Sequence, residues 1–188
     1  MLWAVGLLVA LLAGSVFLYN RLVALQKRAE GAWADIDAQL KRRHDVVPAL
    51  VEVVKGYAAH ERETLEAVVQ TRAAATQHVQ GRRFPGATAS QIENGLVEAL
   101  RGLFALAEAY PEIRASERYG TLQRQLSEIE DDLQSARRYY NAVVRDHNTA
   151  IASFPAVLVA APLGFAVRQF FEIENPLERH AVRVDLDA

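Results

Sequence analysis

The stretch LWAVGLLVALLAGSVFLYNRLVALQKRAEGAWADIDAQLKRR (residues 2–43) decides the fold, because an apolar run passes into an amphipathic helical pattern without a break. Residues 2–18 hold six Leu, three Val and one Phe, and the first charged side chain is Arg21. As a helix this run is about 26 Å long, close to the roughly 30 Å of hydrocarbon in a bilayer. Basic residues follow the run and do not precede it, which favours a retained transmembrane anchor over a cleaved signal peptide.

The charges after the run and the small residues within it predict its orientation and its packing. Arg21 and Lys27 begin a series of basic residues, so the positive-inside bias predicts an outside N-terminus and a cytoplasmic C-terminal part, in a cell membrane. Gly6, Ala10 and Gly14 recur at intervals of four, a spacing typical of faces on which two membrane helices approach closely. We predict that these three residues form a transmembrane packing face. The alternative is that Gly and Ala are simply frequent in such helices.

Beyond the anchor, apolar residues recur at alternating steps of four and three, as on a helical face that packs against other helices. The spacing predicts helices at about residues 20–43, 45–79, 91–110 and 117–153. Asp45 is the predicted N-cap of the second helix, with Pro48 accepted in its first turn. Ser90 and Glu93 have the spacing of a capping box at the start of the third. The first and fourth stripes are Leu18, Leu22, Leu25, Ala29, Ala32, Ile36 and Leu40, and Leu122, Leu126, Ile129, Leu133, Ala136, Tyr140 and Val143.

Helices of this kind joined by short connections pack as antiparallel neighbours. We therefore predict an all-α chain in three parts. Residues 1–19 form a transmembrane helix, and it continues into a long antiparallel up-and-down four-helix bundle over residues 20–153. Residues 154–188 form an extended tail that lies on the bundle or on a partner.

The tail is apolar and interrupted. Pro155, Pro162 and Gly164 break its helical pattern, so the run is too short to cross a membrane. The segment HAVRVDL, residues 180–186, is predicted as a short extended piece. Large aromatic side chains outside a helical pattern are enriched at interfaces. The predicted partner surface is Phe165, Phe170 and Phe171.

Signatures of catalysis or ligand binding are absent from the sequence. There is no Cys, which excludes disulfides and thiolate metal sites. The net charge of -2 provides no basic field for nucleic acid. No GxSxG, P-loop or GxGxxG pattern occurs, and no histidine follows an acid by three residues. The basic cluster at residues 41–44 is interpreted as favourable charge at a helix C-terminus. We predict no catalytic residue, no cofactor, no metal and no nucleic-acid partner.

Four segments together resemble the LemA family. They are YNRLVALQKRAEGAWADIDAQLKRRHDVVPALVEVVKGYAAHERETLEAV (19–68), LFALAEAYPEIRAS (103–116), ARRYYNAVVRDHNTAIASFPAVLVA (136–160) and RQFFE (168–172). The resemblance implies a membrane-tethered helical bundle with no established catalytic residues. Relatives of that family include proteins tied to membrane-organelle formation and others encoded near membrane metallopeptidases.

Two hypotheses for the function follow. In the first, the chain is a non-enzymatic single-pass membrane protein that self-associates and serves as a scaffold or recruits partners at the bilayer. In the second, it is an accessory or regulatory partner of a membrane peptidase, to which the bundle or the tail presents substrates. The tail discriminates between them, because only the second hypothesis depends on it. An enzyme is disfavoured because no nucleophile, base and orienting group can be named.

Overall fold

The computed structural model describes residues 2–79 and 87–172. These hold helices α1 (Leu2–Tyr57), α2 (Arg62–Val79), α3 (Ala87–Ala109), α4 (Pro111–Arg114) and α5 (Glu117–Ala152), and then a 3₁₀ turn at Ala156–Leu158. Within those two ranges there is no β-strand. The predicted all-α fold with an N-terminal apolar helix is confirmed. The extended piece predicted at residues 180–186 lies outside the described residues.

The described chain divides into two compact units. Unit 1 joins residues 2–43 to residues 127–171, and unit 2 joins residues 44–79 to residues 87–126. Helices α1 and α5 each contribute one part to unit 1 and another to unit 2.

In unit 1, α1 and α5 run antiparallel with their apolar stripes facing each other. Trp33 packs edge-to-face on Tyr140 at 5.7 Å, and ten residues further along α1, Arg43 pairs with Glu130, ten residues back along α5. The four-three spacing therefore identified the facing surfaces of both helices. Buried stripe residues are Leu22, Ala29, Ala32, Ile36 and Leu40 on α1, and Ile129, Leu133, Tyr140 and Val143 on α5.

Unit 2 has a core made by the end of α1, by α2, α3 and α4, and by the start of α5. Helices α2 and α3 are antiparallel: the Thr71 methyl lies 4.0 Å from where a Cβ on Gly95 would stand, and the Thr64 methyl 3.8 Å from that of Gly102. The core contains Val47, Leu50, Val54, Leu65, Val68, Ala75, Leu96, Leu100, Leu103, Ile113, Tyr119 and Leu126.

The helix boundary predicted at residues 43–45 differs from the structure, where α1 continues to Tyr57. Pro48 lies inside this helix. Proline has no backbone N–H, so the carbonyl four residues earlier, that of His44, loses its helical partner. Arg72 of α2 donates its Nε–H to this carbonyl at 3.0 Å. A side chain from a neighbouring helix therefore replaces the missing hydrogen bond, and the helix passes the proline intact.

The predicted start of the third helix is also corrected. Helix α3 begins at Ala87, so Ser90 lies inside the helix and does not cap it. The carboxylate of Glu93, assigned to the capping box, lies 3.2 Å from Nε2 of His44. Both side chains are buried. The spacing fitted a capping box because that pattern cannot distinguish a capping acid from one that pairs with another helix.

Candidate functional surfaces

The first part of α1 is an apolar surface with no cover from the rest of the chain. By length and composition α1 qualifies to cross a membrane, and none of its apolar window is buried within the described protein. Side chains such as Leu7, Leu11 and Phe17 are more than half exposed. A continuous exposed apolar surface along a helix marks a contact surface for lipid or protein. The exposure of α1 changes near Leu18, where the helix begins to pack against other residues of unit 1.

The predicted packing face lies open on this surface. Gly6, Ala10 and Gly14 are all exposed, and a Cβ at either glycine would meet nothing within 4 Å. A facing helix could therefore approach the backbone closely here. Dimerisation through this face stays a prediction.

The most elaborate constellation in unit 1 holds the chain after α5. The side-chain amide of Asn148 donates to the Arg168 carbonyl at 2.9 Å, and its Oδ1 accepts the Arg168 N–H at 2.9 Å. The amide of Asn141 donates to the Phe171 carbonyl at 3.1 Å, and its Oδ1 accepts the Phe171 N–H at 2.9 Å. We call these two pairs the asparagine clips. They bind the backbone of residues 168–171 along α5.

An aromatic cluster fixes the same segment from the other side. Phe171 is fully buried, with its ring 5.3 Å from Trp33. Tyr140, which also packs on Trp33, donates its hydroxyl to the Gln169 carbonyl at 3.1 Å. Burial raises the pKa of Tyr140 to about 12, although the nearby Arg168 lowers it. The phenol therefore keeps its proton and remains a donor to the Gln169 carbonyl over the whole physiological range.

The predicted partner surface is reduced by these contacts. Phe171 is buried among Trp33 and α5, and Phe165 is buried against Tyr19 with ring centroids 5.9 Å apart. Only Phe170 stays exposed, at 44%. The three were grouped because all are Phe in a broken segment, but Phe171 is held by a clip, whereas Phe165 packs in a separate cluster with Leu22 and Ile151. A partner role for Phe170 remains a prediction.

The clip residues were missed in the sequence. Asn141 and Asn148 are seven apart, so they lie two turns apart on one face of α5. Asn is unfavourable inside a helix because its side chain competes for backbone hydrogen bonds. Two such residues beside a buried stripe were the signal available, and they bind the backbone of another segment.

The basic cluster at residues 41–44 also has a different role from the predicted one. It lies inside α1 and not at its end, so a favourable charge at a helix C-terminus does not explain it. Arg43 is fully buried and pairs with Glu130 at 3.0 Å in unit 1. In unit 2, His44 is enclosed with Glu93. Both side chains hold helices together.

A second buried histidine lies next to a clip. Burial lowers the pKa of His147 below its ordinary value of 6.5; a hydrogen bond with Asn148 opposes this shift, and the charge of Arg168 adds to it. The ring is almost fully enclosed. Burial therefore favours the neutral form of His147 where α5 meets the clipped backbone.

The described residues include no group of three or more His, Asp or Glu placed to hold a metal ion. An open groove of about 550 Å³ does lie along α1 and α2 in unit 2. Its lining includes Val51, Lys55, Leu65, Glu66 and Val69. The mixture of exposed valine and flexible charged side chains makes it a shallow surface without a convergent polar centre.

An exposed membrane-length helix joined to packed helical units defines a membrane-associated helical protein. The chain belongs to the LemA family, whose model matches residues 32–186. The resemblance predicted from the sequence is confirmed.

Relatives of this chain cover most of its length. Protein LemA of Metamycoplasma hominis is 30% identical over 172 residues, which are 89% of this chain and 73% of that protein. Magnetosome protein MamQ of Magnetospirillum gryphiswaldense is 23% identical over 190 residues, 90% of this chain and 70% of that protein. Magnetosome protein MamQ 2 of Paramagnetospirillum magneticum is 23% identical over 189 residues, 89% and 69% respectively.

Proposed function

We propose that the chain is a non-enzymatic single-pass membrane protein that self-associates and acts as a scaffold or recruits partners at the cytoplasmic face. The observation that carries the proposal is the change in burial along one uninterrupted helix. In α1, residues 2–17 are exposed and apolar, whereas from Leu22 onward the helix buries one face against its own chain. One helix therefore combines a lipid-facing part with a part that belongs to a water-soluble fold.

The membership of the family and the names of the relatives support this proposal. Two of the relatives are called magnetosome proteins, and none of the names describes a reaction. A protein of this kind acts by holding other molecules at a membrane, so its informative surfaces are the exposed ones.

The orientation is tested with one cysteine in a chain that has none of its own. Gln134 is exposed on α5, so Gln134→Cys leaves the packing unchanged. An impermeant maleimide should leave this variant unlabelled in intact cells and label it after the membrane is opened. Labelling in intact cells would reverse the proposed topology. Release of the protein from membranes by alkaline carbonate would contradict the anchor itself.

Self-association is tested with a matched pair of cysteines in the span. Ala10→Cys lies on the predicted packing face, and Leu12→Cys lies about 200° away on the same helix. Oxidation in native membranes should give a disulfide-linked dimer for Ala10→Cys and much less for Leu12→Cys. Equal crosslinking of both variants would mean random collision. Absence of dimer in both would remove this face from the proposal.

The accessory role for a membrane peptidase is kept as a second candidate because of Phe170. Its side chain is exposed between clipped residues, so it is presented on a fixed backbone. Such an ordered apolar residue suits recognition by another protein. Phe170→Ala should reduce crosslinking to a peptidase partner without changing the fold. If every partner crosslink survives this substitution, the candidate loses its support.

A further inference from the structure

We propose that residues 153–167, SFPAVLVAAPLGFAV, form a second membrane contact that enters the lipid interface beside the point where α1 leaves the bilayer. We call this segment the cap loop. The proposal rests on the membrane span proposed above. The lipid interface is the occupant assigned to the exposed apolar side of the loop, which no other part of the described chain covers.

The cap loop presents large apolar side chains outward. Beyond residue 19, ten large apolar residues of the described chain are exposed, and six of them belong to this loop. Phe154 is 81% exposed and Leu158 67%. The remaining four are Val157, Val159, Leu163 and Val167. In water such a concentration is unfavourable, at about 25 cal/mol for each Å² of apolar surface.

The other side of the loop packs at the end of the span. Ala156, Ala160 and Phe165 form a buried cluster with Leu22 of α1 and Ile151 of α5. Leu18 and Val23 also pack on this cluster, and the Phe165 ring contacts Tyr19. The loop thus lies at the level of residues 18–23, and the apolar run of the span ends at residue 18. Leu22 lies four helical residues beyond Leu18, a distance of about 6 Å along the helix. This is the approximate depth of the headgroup layer.

The backbone of the loop is suited to a medium poor in water. Seven of its N–H groups donate to carbonyls within the loop, which folds into successive tight turns ending at Gly164, where φ is 82°. Unpaired backbone groups are costly in lipid, so an inserted segment has to satisfy them internally. The residues whose N–H groups bond to loop carbonyls are Val157, Leu158, Val159, Ala160, Leu163, Gly164 and Phe165.

The distribution of charged residues also separates the cap loop from the segment that follows it. None of the fifteen residues of the cap loop is charged, and the next residue, Arg168, begins the clipped segment. The side chain of Arg168 is mostly covered and lies 3.7 Å from Glu30 of α1. A segment without charged side chains that dips into the interface avoids the large cost of moving an ion into hydrocarbon. The neutral loop and its charged border therefore match the boundary between lipid and water.

The test measures depth in the full-length protein reconstituted into phosphatidylcholine–phosphatidylglycerol vesicles. Single cysteines are introduced by Leu158→Cys in the cap loop, Gln134→Cys on the water-exposed face of α5, and Leu12→Cys within the span. Each is labelled with the fluorophore NBD, and the vesicles contain lipid with a spin label at acyl carbon 5. We expect severalfold stronger quenching at position 158 than at position 134. Phe154→Cys provides an independent second position on the loop.

The three positions separate the two proposals. Quenching at position 12 with none at position 158 beyond that at position 134 would overturn the cap-loop proposal and leave the span in place. Absence of quenching at position 12 would overturn the span. If position 158 is shielded from aqueous iodide but not quenched by the lipid label, another protein or a second copy covers the loop, and the lipid assignment is wrong.

Discussion

The burial of Phe171 gives a quantitative prediction for the stability of the protein. The residue immediately before it, Phe170, is an exposed phenylalanine and serves as the comparison. Phe171 is fully buried and packs on Trp33, whereas Phe170 is 44% exposed. Truncation of a buried Phe costs about 3–5 kcal/mol, of which the edge-to-face aromatic pair accounts for about 1. A half-exposed Phe buries about half of the area, so truncation there costs about 1 kcal/mol. Phe171→Ala should therefore destabilise the protein by about 2–4 kcal/mol more than Phe170→Ala does.

The assay uses the two tryptophans of the chain. Trp3 lies in the exposed span and Trp33 under Phe171, so a Trp3→Phe background makes Trp33 the sole reporter. Thermal unfolding in detergent micelles should show Phe171→Ala with a midpoint lowered by about 6–20 °C, at about 2–4 °C per kcal/mol for a chain of this size. Its Trp33 emission should shift to the red before unfolding begins.

The pair is internally controlled, since both variants remove the same ring from adjacent residues. If the two midpoints agree within about 2 °C, under 1 kcal/mol at this size, the clipped segment does not bury Phe171 in solution. A Phe171→Leu variant should recover about half of the loss, because it refills much of the cavity.

Three further predictions concern hydrogen bonds and charge. Arg72→Met should cost about 1–3 kcal/mol by leaving the His44 carbonyl without a partner, and the cost should shrink when Pro48→Ala restores the helical N–H; additive effects in this double-mutant cycle would contradict the proposed replacement. Asn141→Ala should destabilise by about 2 kcal/mol in a urea titration, since it removes both bonds of one clip. The folded protein holds the pKa of His147 below its unfolded value of 6.5, so it binds fewer protons than the unfolded chain there. Stability should thus be complete above pH 6.5 and fall as the pH drops below it, with a weaker dependence in His147→Gln, as measured by unfolding midpoints at several pH values.

Much of the fold follows from spacing alone. The stripe from Leu22 to Leu40 and the one from Leu126 to Val143 were expected to face other helices, and most of their members are buried. The reason is that the buried face of a helix is marked by apolar residues at helical spacing, and this spacing can be read directly from the sequence. The apolar length of residues 2–18 predicts the exposed, membrane-length start of α1 in the same way.

The remaining features depend on contacts between distant residues. The break expected near Asp45 was wrong because Arg72, 24 residues beyond Pro48, supplies the bond that proline removes. Glu93 resembled a cap, but it pairs with His44 across unit 2. The direction of Phe171 likewise depends on Asn141, thirty residues earlier, and Phe165 packs against Leu22 and Tyr19 of α1. A local pattern contains none of these partners, so the sequence could predict the elements and not the contacts that modify them.

The asparagine clips have a consequence for how this segment can change over evolution. Each clip recognises backbone atoms, which every residue except proline presents in the same way. The clips themselves therefore place no demand on the side chains of Gln169 and Phe170, provided that neither Arg168 nor Phe171 is replaced by proline. Substitution should instead be restricted at Asn141 and Asn148, so a comparison of many relatives should find these two asparagines more constant than Gln169 in the segment that they hold.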